Sequence, residues 1–439
     1  QEMTSQAIFG GFGIKGRLPV STKHYPLGYG INTSKIRFEY SIPEEFGVNK
    51  SDLYKIDSLA KNAISEKATP GCQILIAKEG KIIFNKSYGY HTYSKKKKVK
   101  NTDVYDLASI TKISATIPLL MKMVDEGKLN IDNTLGMYLD LDTSNKSELI
   151  IRDILAHQAR LKSWISFYNS TLDDDTIKGV KVLRDTLYSS TESVIYPYKV
   201  ADDIYLHFSY PDSILNIIKY SELRENEGYK YSDLGYYLFK EIIEEHYSNE
   251  LNQLTSDCFY DKLGMENLGY LPLDRIEKRR IIPTEQDYLY RSQLIKGYVH
   301  DQGAAMLGGV GGHAGVFSNA NDLAKIMQMY LNYGKYGGER YISEETVKEF
   351  TKCQFCKNNN RRGAGFDKPA DKGGPTCDCV SHTSFGHTGF TGTIAWADPE
   401  TEIIYIFLSN RVHPANNMKL LKMDVRTNIM QEIFNHFGN

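Results

Sequence analysis

Ser109 and Lys112 form a pair that could carry nucleophilic catalysis. They stand at positions i and i+3 of a segment, from about Ser109 to Glu126, whose apolar residues recur at helical spacing. Side chains at this spacing share one helix face, so the lysine amine can reach the serine hydroxyl and take its proton. The amide groups at the start of a helix also favour an anion. On its own, such a pair is more often a capping serine beside an exposed lysine.

Two later motifs support the catalytic interpretation. Tyr231-Ser232-Asp233 follows a tyrosine-rich loop and directly precedes a predicted helix. His387-Thr388-Gly389 lies in a stretch of small residues that leads into a predicted strand. Small residues there would let a substrate lie along the strand edge. The three motifs occur in this order along the chain, each in a suitable local setting.

With these motifs, the chain from about Val48 onward resembles the serine β-lactamase and penicillin-binding-protein superfamily, and most closely its class C-like branch. The resemblance implies that Ser109 attacks the substrate carbonyl and that Lys112 and Tyr231 share the proton relay. It places His387 where a lysine is common in the third motif. The amide groups of Ser109 and Phe390 are expected to form the oxyanion hole.

The resemblance also singles out residues around the expected cleft. Thr388 and Gly389 are expected to contact substrate. His313, in the glycine-rich segment 308–318, is expected near the cleft, although a structural hydrogen-bonding role is an equally good interpretation. His157 resembles part of a family turn and is interpreted as structural.

Two residues depart from the family pattern. Asp233 stands where asparagine is usual, and a carboxylate near Lys112 would favour the charged amine. We therefore hypothesise that Tyr231, its pKa lowered by Lys112, is the principal base. The second departure is His387 itself: a largely neutral histidine binds a substrate carboxylate less strongly than lysine does. This weakens the case for a true β-lactamase or transpeptidase and favours an ester or amide whose anion lies elsewhere or is absent.

The segment from Ala7 to Ser21 resembles the closing segment of bacterial family-three glycoside hydrolases, which include β-N-acetylglucosaminidases. The alternative is a glycine-rich turn that matches by chance. The resemblance implies that the chain is the C-terminal part of a fusion, with residues 1–25 as the end of the hydrolase domain and 26–48 as a linker.

Hydrophobic periodicity predicts an α+β fold. Strands are expected at residues 72–77 and 81–84 and again at 393–396 and 403–408, as two hairpins. Helices are expected from Ser51-Asp52, over 322–332 and over 419–437. We therefore predict an antiparallel sheet flanked by terminal helices, formed by residues 49–115 and 295–439, plus a mainly helical part from 116 to 294. The default site is the cleft between them.

Composition limits the partners. A net charge of -1 among 24% charged residues gives no reason to expect a nucleic acid partner. No apolar run is long enough to span a membrane, and the first residues lack a signal-peptide pattern, although the chain could begin after a cut. A periplasmic or secreted location is implied only by the resemblance to cell-wall enzymes.

Four cysteines cluster as C-x-x-C and C-x-C, at Cys353, Cys356, Cys377 and Cys379. A structural zinc site and disulfides fit this spacing about equally well, and free thiols are the third possibility. A site of four thiolates leaves no open position for a reacting water, so it would only cross-link the chain. We expect the catalytic chemistry to require no cofactor.

The sequence thus predicts a serine hydrolase that cleaves an amide in peptidoglycan-derived muropeptides, as an N-acetylmuramoyl-L-alanine amidase or a peptidase. The alternatives are a carboxylesterase, a β-lactamase, and a non-enzymatic module that binds or senses muropeptides or β-lactams.

Overall fold

The computed structural model describes residues 2–141, 143–175, 180–370 and 373–438. Its strands are β1 (Glu39–Tyr40), β2 (Gly71–Lys78), β3 (Lys81–Gly89), β4 (Tyr105–Asp106), β5 (Leu172–Asp175), β6 (Val180–Leu183), β7 (Tyr188–Ser189), β8 (Tyr198–Ala201), β9 (Ile204–Leu206), β10 (Glu285–Gln286), β11 (Leu294–Ile295), β12 (Phe317–Ser318), β13 (Lys335–Tyr336), β14 (Glu339–Arg340), β15 (Phe385–Thr388), β16 (Ile394–Asp398) and β17 (Ile403–Ser409). Its α-helices are α1 (Glu2–Ile8), α2 (Tyr54–Ser65), α3 (Ile117–Asp125), α4 (Ile151–Leu155), α5 (Tyr210–Tyr220), α6 (Leu234–Tyr247), α7 (Leu251–Thr255), α8 (Pro272–Arg275), α9 (Gln302–Met306), α10 (Ala320–Leu331), α11 (Glu344–Thr351), α12 (Lys419–Lys422) and α13 (Val425–Phe437).

The main sheet has six strands in the order β1-β3-β2-β17-β16-β15. Both predicted hairpins are confirmed as β2–β3 and β16–β17, and the central pair β2–β17 joins the two ends of the chain in antiparallel register. The predicted antiparallel sheet is therefore confirmed for five strands. The two-residue edge strand β1 adds a parallel pairing with β3, so the sheet is mixed.

Helices cover both faces of this sheet. In β2, Leu75 and Ala77 pack into a core shared with α10, whereas Ile74 and Ile76 point into a second core formed with α2 and α13. Because side chains alternate across a strand, burial on both faces explains why β2 and β17 read as nearly continuous apolar runs. The predicted α+β class is confirmed.

The segment 116–294 carries helices α3 to α8. It also contains short strands that the helical periodicity did not predict: the hairpin β5–β6 and the three-stranded sheet β7-β9-β8. These small sheets have only two to four residues per strand, which is too short for an alternating pattern to stand out in the sequence.

The helix that follows Ser109 starts with a wide turn. Residues Lys112–Thr116 form a π-helical turn before α3, and Pro118 lies in the first turn of α3. Proline has no N–H, so the carbonyl of Ser114 lacks its usual helical partner and instead accepts a hydrogen bond from Tyr260 Oη at 2.9 Å. Tyr330 Oη satisfies the neighbouring carbonyl of Ile113 at 2.7 Å. Pro118 is thus accommodated next to a π-turn that two buried tyrosines stabilise.

The N-terminal segment is attached to the main sheet. It contains α1, although no periodic pattern marks a helix there. Gln6 on α1 exchanges hydrogen bonds with the backbone of Tyr40, at 2.7 and 3.2 Å, and so ties α1 to the edge of the main sheet. Tertiary contacts of this kind, made by one polar residue, leave no hydrophobic signature in the sequence.

The clustered cysteines pair as two disulfides, Cys353–Cys356 and Cys377–Cys379. Across the described residues, no group of three or more His, Cys, Asp or Glu side chains is arranged to hold a metal ion. In the same part of the chain, no helix combines the length and the apolar character needed to cross a bilayer.

Candidate active site

Ser109 lies between β4 and the π-turn, with its side chain partly exposed. The residue before it, Ala108, has a positive φ of 49°, a conformation that costs an alanine about 1 kcal/mol. The carboxylate of Asp106 accepts a hydrogen bond from the Ala108 amide at 2.8 Å and so stabilises this turn. The strand therefore delivers the serine to the start of the helix at a sharp angle.

Lys112 is buried, and its ammonium has three acceptors. Nζ donates to Ser109 Oγ at 3.1 Å, to Asp233 Oδ1 at 2.6 Å and to the backbone carbonyl of His313 at 3.1 Å. Three acceptors match the three N–H bonds of a charged lysine. In this arrangement Nζ can pass a proton between Ser109 and Asp233.

Tyr231 and Asp233 reach the serine from the start of α6. Tyr231 Oη donates a hydrogen bond to Ser109 Oγ at 2.9 Å. Burial and the nearby Asp233 carboxylate raise the pKa of Tyr231 well above its usual value. This is opposite to the lowered pKa that we expected from Lys112. A neutral phenol is a proton donor, so Tyr231 is placed as an acid rather than as the base of the resting enzyme.

His387 is buried at the end of the sheet on β15. Its Nδ1 lies 2.7 Å from the carbonyl of Thr388, which can only accept, and its Nε2 lies 3.3 Å from Nη1 of Arg362, which can only donate. The two partners therefore fix the neutral tautomer with the proton on Nδ1. Burial and the charges of Arg362 and Lys112 lower the pKa of His387 to about 3. The expectation of a neutral histidine in the third motif agrees with this geometry.

Arg362, which the sequence analysis did not single out, supplies a cation behind His387. Its guanidinium carbon lies 5.3 Å from the ring centre of Tyr231, and Nη2 donates to Tyr229 Oη at 3.2 Å. Burial lowers the pKa of this group, but Asp367, Tyr229 and Tyr231 raise it by more, so the guanidinium stays charged. Arg362 ends a polar run that is followed by Gly363, and no motif in the sequence marks it as buried.

The two expected oxyanion-hole amides belong to adjoining segments. Gly389 packs so tightly on the segment between β4 and Ser109 that a Cβ at this position would collide with the carbonyl of Leu107. Neither the Ser109 amide nor the Phe390 amide donates a hydrogen bond within the described part of the chain. The side chain of Phe390 is 49% exposed, so it borders the open side of the site.

His313 contributes through its backbone. Its carbonyl accepts from Lys112, while its ring is buried, stacks on Tyr237 at 4.2 Å and pairs with Asp301 at 2.8 Å. The ring thus fixes the glycine-rich segment, and only the carbonyl touches the catalytic group.

His157 supports the loop that carries Tyr231. Its carbonyl accepts the Lys230 amide at 2.8 Å, and its ring lies 4.4 Å from the ring of Tyr231. Burial and the charge of Arg362 lower the pKa of His157 well below its usual value, so this ring is neutral. These contacts fit the structural interpretation.

The site therefore combines a serine, a buried lysine–carboxylate pair, a neutral tyrosine and two unpartnered amides. These are the groups that acyl transfer requires. A family model described as "Beta-lactamase" matches residues 56–426. The chain belongs to the β-lactamase family. It is a serine hydrolase of this family.

Two similar proteins from bacteria carry the same name. A protein of Escherichia coli O157:H7 named "Putative D-alanyl-D-alanine carboxypeptidase" is 30% identical over 403 residues, which cover 85% of each chain. Its counterpart in Salmonella typhimurium, with the same name, is 29% identical over 413 residues, covering 86% of this chain and 87% of the relative.

Solved structures share the fold. The Beta-Lactamase/D-Alanine Carboxypeptidase from Pseudomonas syringae superposes with a TM-score of 0.61 at 13% identity, over 87% of this chain and 99% of the other. EstCE1, described as a hydrolase with promiscuous acyltransferase activity, gives a TM-score of 0.60 at 16% identity, over 87% and 98%. At these identities the likeness concerns the fold alone.

Proposed function

We propose that this β-lactamase-family chain is a serine carboxypeptidase that removes the C-terminal residue of a peptidoglycan-derived peptide through an acyl-enzyme on Ser109. The observation that carries the proposal is the buried, charged guanidinium of Arg362 against His387 and Tyr231. A carboxypeptidase must recognise a carboxylate one residue beyond the scissile bond, and an arginine is suited to that task.

Arg362 retains hydrogen-bonding capacity for such a carboxylate. Each terminal nitrogen carries two hydrogens, and one on each is used, by His387 and by Tyr229. The nearby Asp367 carboxylate approaches Nε, at 3.6 Å. The sequence-based argument against a carboxylate substrate considered only His387. Arg362 supplies the missing cation, since its guanidinium contacts His387 of the third motif.

Acylation begins with attack of Ser109 Oγ on the carbonyl carbon. The serine proton passes to Lys112 Nζ, while a proton on Nζ passes to Asp233 across 2.6 Å, so the charge on the amine is unchanged. The carbonyl oxygen becomes an oxyanion, which the amides of Ser109 and Phe390 stabilise. The carbon–nitrogen bond then breaks, and Tyr231 Oη gives its proton to the leaving amine.

Deacylation reverses these transfers with water. The Tyr231 phenolate takes a proton from the attacking water, the ester bond to Ser109 breaks, and the proton held by Asp233 returns through Lys112 to Ser109 Oγ. Every proton is assigned to a side chain, so the proposed reaction needs no cofactor.

The alternative functions need fewer of the groups that the site contains. An N-acetylmuramoyl-L-alanine amidase cleaves a bond with no carboxylate directly beyond it, and a carboxylesterase has no need of a buried cation. A β-lactam carries a carboxylate and would acylate Ser109, so slow β-lactamase turnover is compatible with the same chemistry. A binding or sensor module would stop at the acyl-enzyme.

We further propose a periplasmic or secreted location, where peptidoglycan fragments occur, and a fusion to a glycoside hydrolase upstream of residue 1. The first rests on the kind of substrate, and the second on the resemblance of residues 7–21 to the end of such a domain.

The first experiment is intact-mass analysis after exposure to a fluorophosphonate. We expect a single adduct on the wild type and on Ser58→Ala, a change at an exposed serine, but none on Ser109→Ala. The second experiment measures D-alanine release from a peptide ending in D-Ala-D-Ala. Release by the wild type supports the carboxypeptidase. Release of an L-alanyl peptide from a muropeptide instead would favour the amidase, and an adduct without any turnover would favour the sensor.

A further inference from the structure

Asp106 contacts both segments that supply the expected oxyanion-hole amides. On the serine side, its Oδ1 accepts the amide of Ala108, the residue before Ser109, at 2.8 Å. On the other side, its backbone carbonyl accepts Thr391 Oγ1 at 2.8 Å, and Thr391 follows Phe390. Asp106 itself is buried, with 2% of its surface exposed.

A third contact links Asp106 to the side chain of Phe390. Oδ2 accepts the backbone amide of His300 at 2.7 Å, and the His300 ring lies 5.3 Å from the Phe390 ring. His300 in turn is held by Glu285, 3.2 Å from its Nε2. The two carboxylate oxygens therefore accept from two different chain segments at once.

The two amides must point at one oxygen atom to stabilise it, and a shift of about 1 Å can cost about 10²-fold in rate. Ala108 has a positive φ, and no helix or strand hydrogen bond orients either amide. The surrounding contacts must therefore set their directions.

We propose that Asp106 is a positioning residue that holds the amides of Ser109 and Phe390 in the relative orientation an oxyanion hole requires. The side chain fixes the Leu107–Ala108 peptide, which directly precedes the Ser109 amide, and the backbone carbonyl fixes Thr391, the residue after Phe390. This inference rests on the proposed acyl transfer at Ser109, but it does not depend on which substrate the enzyme uses.

The test is the rate of Ser109 phosphonylation by a fluorophosphonate, because that reaction builds negative charge on the phosphoryl oxygen and needs no natural substrate. Asp106→Ala should lower the second-order rate constant by about 10²-fold. Asp106→Asn has a single acceptor oxygen and cannot serve both Ala108 and His300, so we expect a loss of about 10-fold. Asp103→Asn is the matched control, since Asp103 is also buried and bonds His91 and Lys100 but touches neither oxyanion segment.

A second variant keeps the test informative if Asp106→Ala does not fold. Thr391→Val removes only the hydroxyl that bonds the Asp106 carbonyl, and it should also slow phosphonylation. In the double variant Asp106→Asn/Thr391→Val, the fold-loss in the phosphonylation rate should be smaller than the product of the two single-variant losses. Affinity for a boronic acid, which forms a tetrahedral anion on Ser109, should fall in parallel, whereas thermal stability should fall no more than in Asp103→Asn.

Equal phosphonylation rates in the wild type, Asp106→Asn and Thr391→Val would overturn the proposal. Normal Asp106 dependence together with no D-alanine release would instead overturn the carboxypeptidase assignment and leave the positioning role intact.

Discussion

Arg362 donates a hydrogen bond from Nη1 to Nε2 of His387 across 3.3 Å. This contact makes the histidine an acceptor and places a permanent positive charge directly behind the third motif. The family position that often carries a lysine is thereby divided between two residues: a neutral ring next to the strand edge, and a guanidinium that carries the charge.

Replacing Arg362 should weaken recognition of a substrate carboxylate. We expect Arg362→Ala to lower kcat/KM for D-Ala-D-Ala peptides by about 10²-fold, in line with the loss of a charged hydrogen bond of about 2–3 kcal/mol. Steady-state kinetics with the same peptide bearing a C-terminal amide should show little effect of the substitution. Arg361→Ala is the control, because Arg361 is the neighbouring residue and also pairs with Asp367. An equal loss on both substrates would show that Arg362 acts only structurally.

Two substrates with different leaving groups can show whether Tyr231 acts as an acid or as a base. Tyr231→Phe should slow hydrolysis of a peptide by about 10²- to 10⁴-fold, because an amine must be protonated as it leaves. A p-nitrophenyl ester has a leaving group that departs as an anion, so acylation by it should fall far less. If Tyr231 were the principal base, both substrates would slow to the same extent, and burst kinetics on the two substrates distinguish these outcomes.

The buried neutral His387 predicts a pH dependence of stability. Its pKa falls from about 6.5 in the unfolded chain to about 3 in the folded protein. The unfolded state therefore binds the extra proton between these values, so the free energy of unfolding should decrease as the pH falls through this window, by up to roughly 1.4 kcal/mol per unit. Chemical denaturation at pH 7, 5 and 4 should show that the free energy of unfolding decreases less steeply in His387→Gln than in the wild type. His24→Gln, which alters an exposed histidine, should show the same decrease as the wild type. Parallel curves for all three proteins would contradict a buried neutral His387.

The disulfide Cys353–Cys356 should matter to substrate binding through Arg362. The backbone amide of Gln354, inside this disulfide loop, donates to the carbonyl of Arg362 at 2.8 Å. We expect the double variant Cys353→Ser/Cys356→Ser to raise KM for carboxylate substrates several-fold with little change in kcat. The matched control is Cys377→Ser/Cys379→Ser, which removes the other disulfide. Thiol titration before and after reduction provides the check on the pairing, and bound zinc measured in the native protein would argue against it.

The main elements of the fold follow from periodicity in the sequence. Residues 72–77 and 403–408 are apolar enough to predict buried strands, and they form the centre of the sheet. The short strands β5 to β9 and helix α1 could not be predicted, since each depends on a few tertiary contacts and has too few residues for a periodic pattern.

The site was predictable where a motif fixes both residue type and spacing. Ser109, Lys112, Tyr231 and Asp233 are brought together within hydrogen-bonding distance. Arg362 was missed because Asn358 to Arg361 reads as a polar surface loop, and only the fold shows that this arginine is buried beside Asp367. The direction of the Tyr231 pKa was also missed, because burial and the Asp233 carboxylate raise it, and burial cannot be judged from neighbours in the sequence.

The pairing of β2 with β17 has a consequence for how the protein matures. Residues 72–78 pair with β3 on one edge, but the strand on their other edge lies at 403–409, so most of the chain must be synthesised before the sheet can close. Such long-range pairing makes folding slow, and the segments that carry Ser109 and His387 reach the same site only once it is complete. During translation, the emerging N-terminal portion therefore exposes the apolar β2–β3 hairpin with one edge of β2 unpaired, while it still has no assembled active site. We expect these early chains to depend on chaperones and to be inert towards substrate.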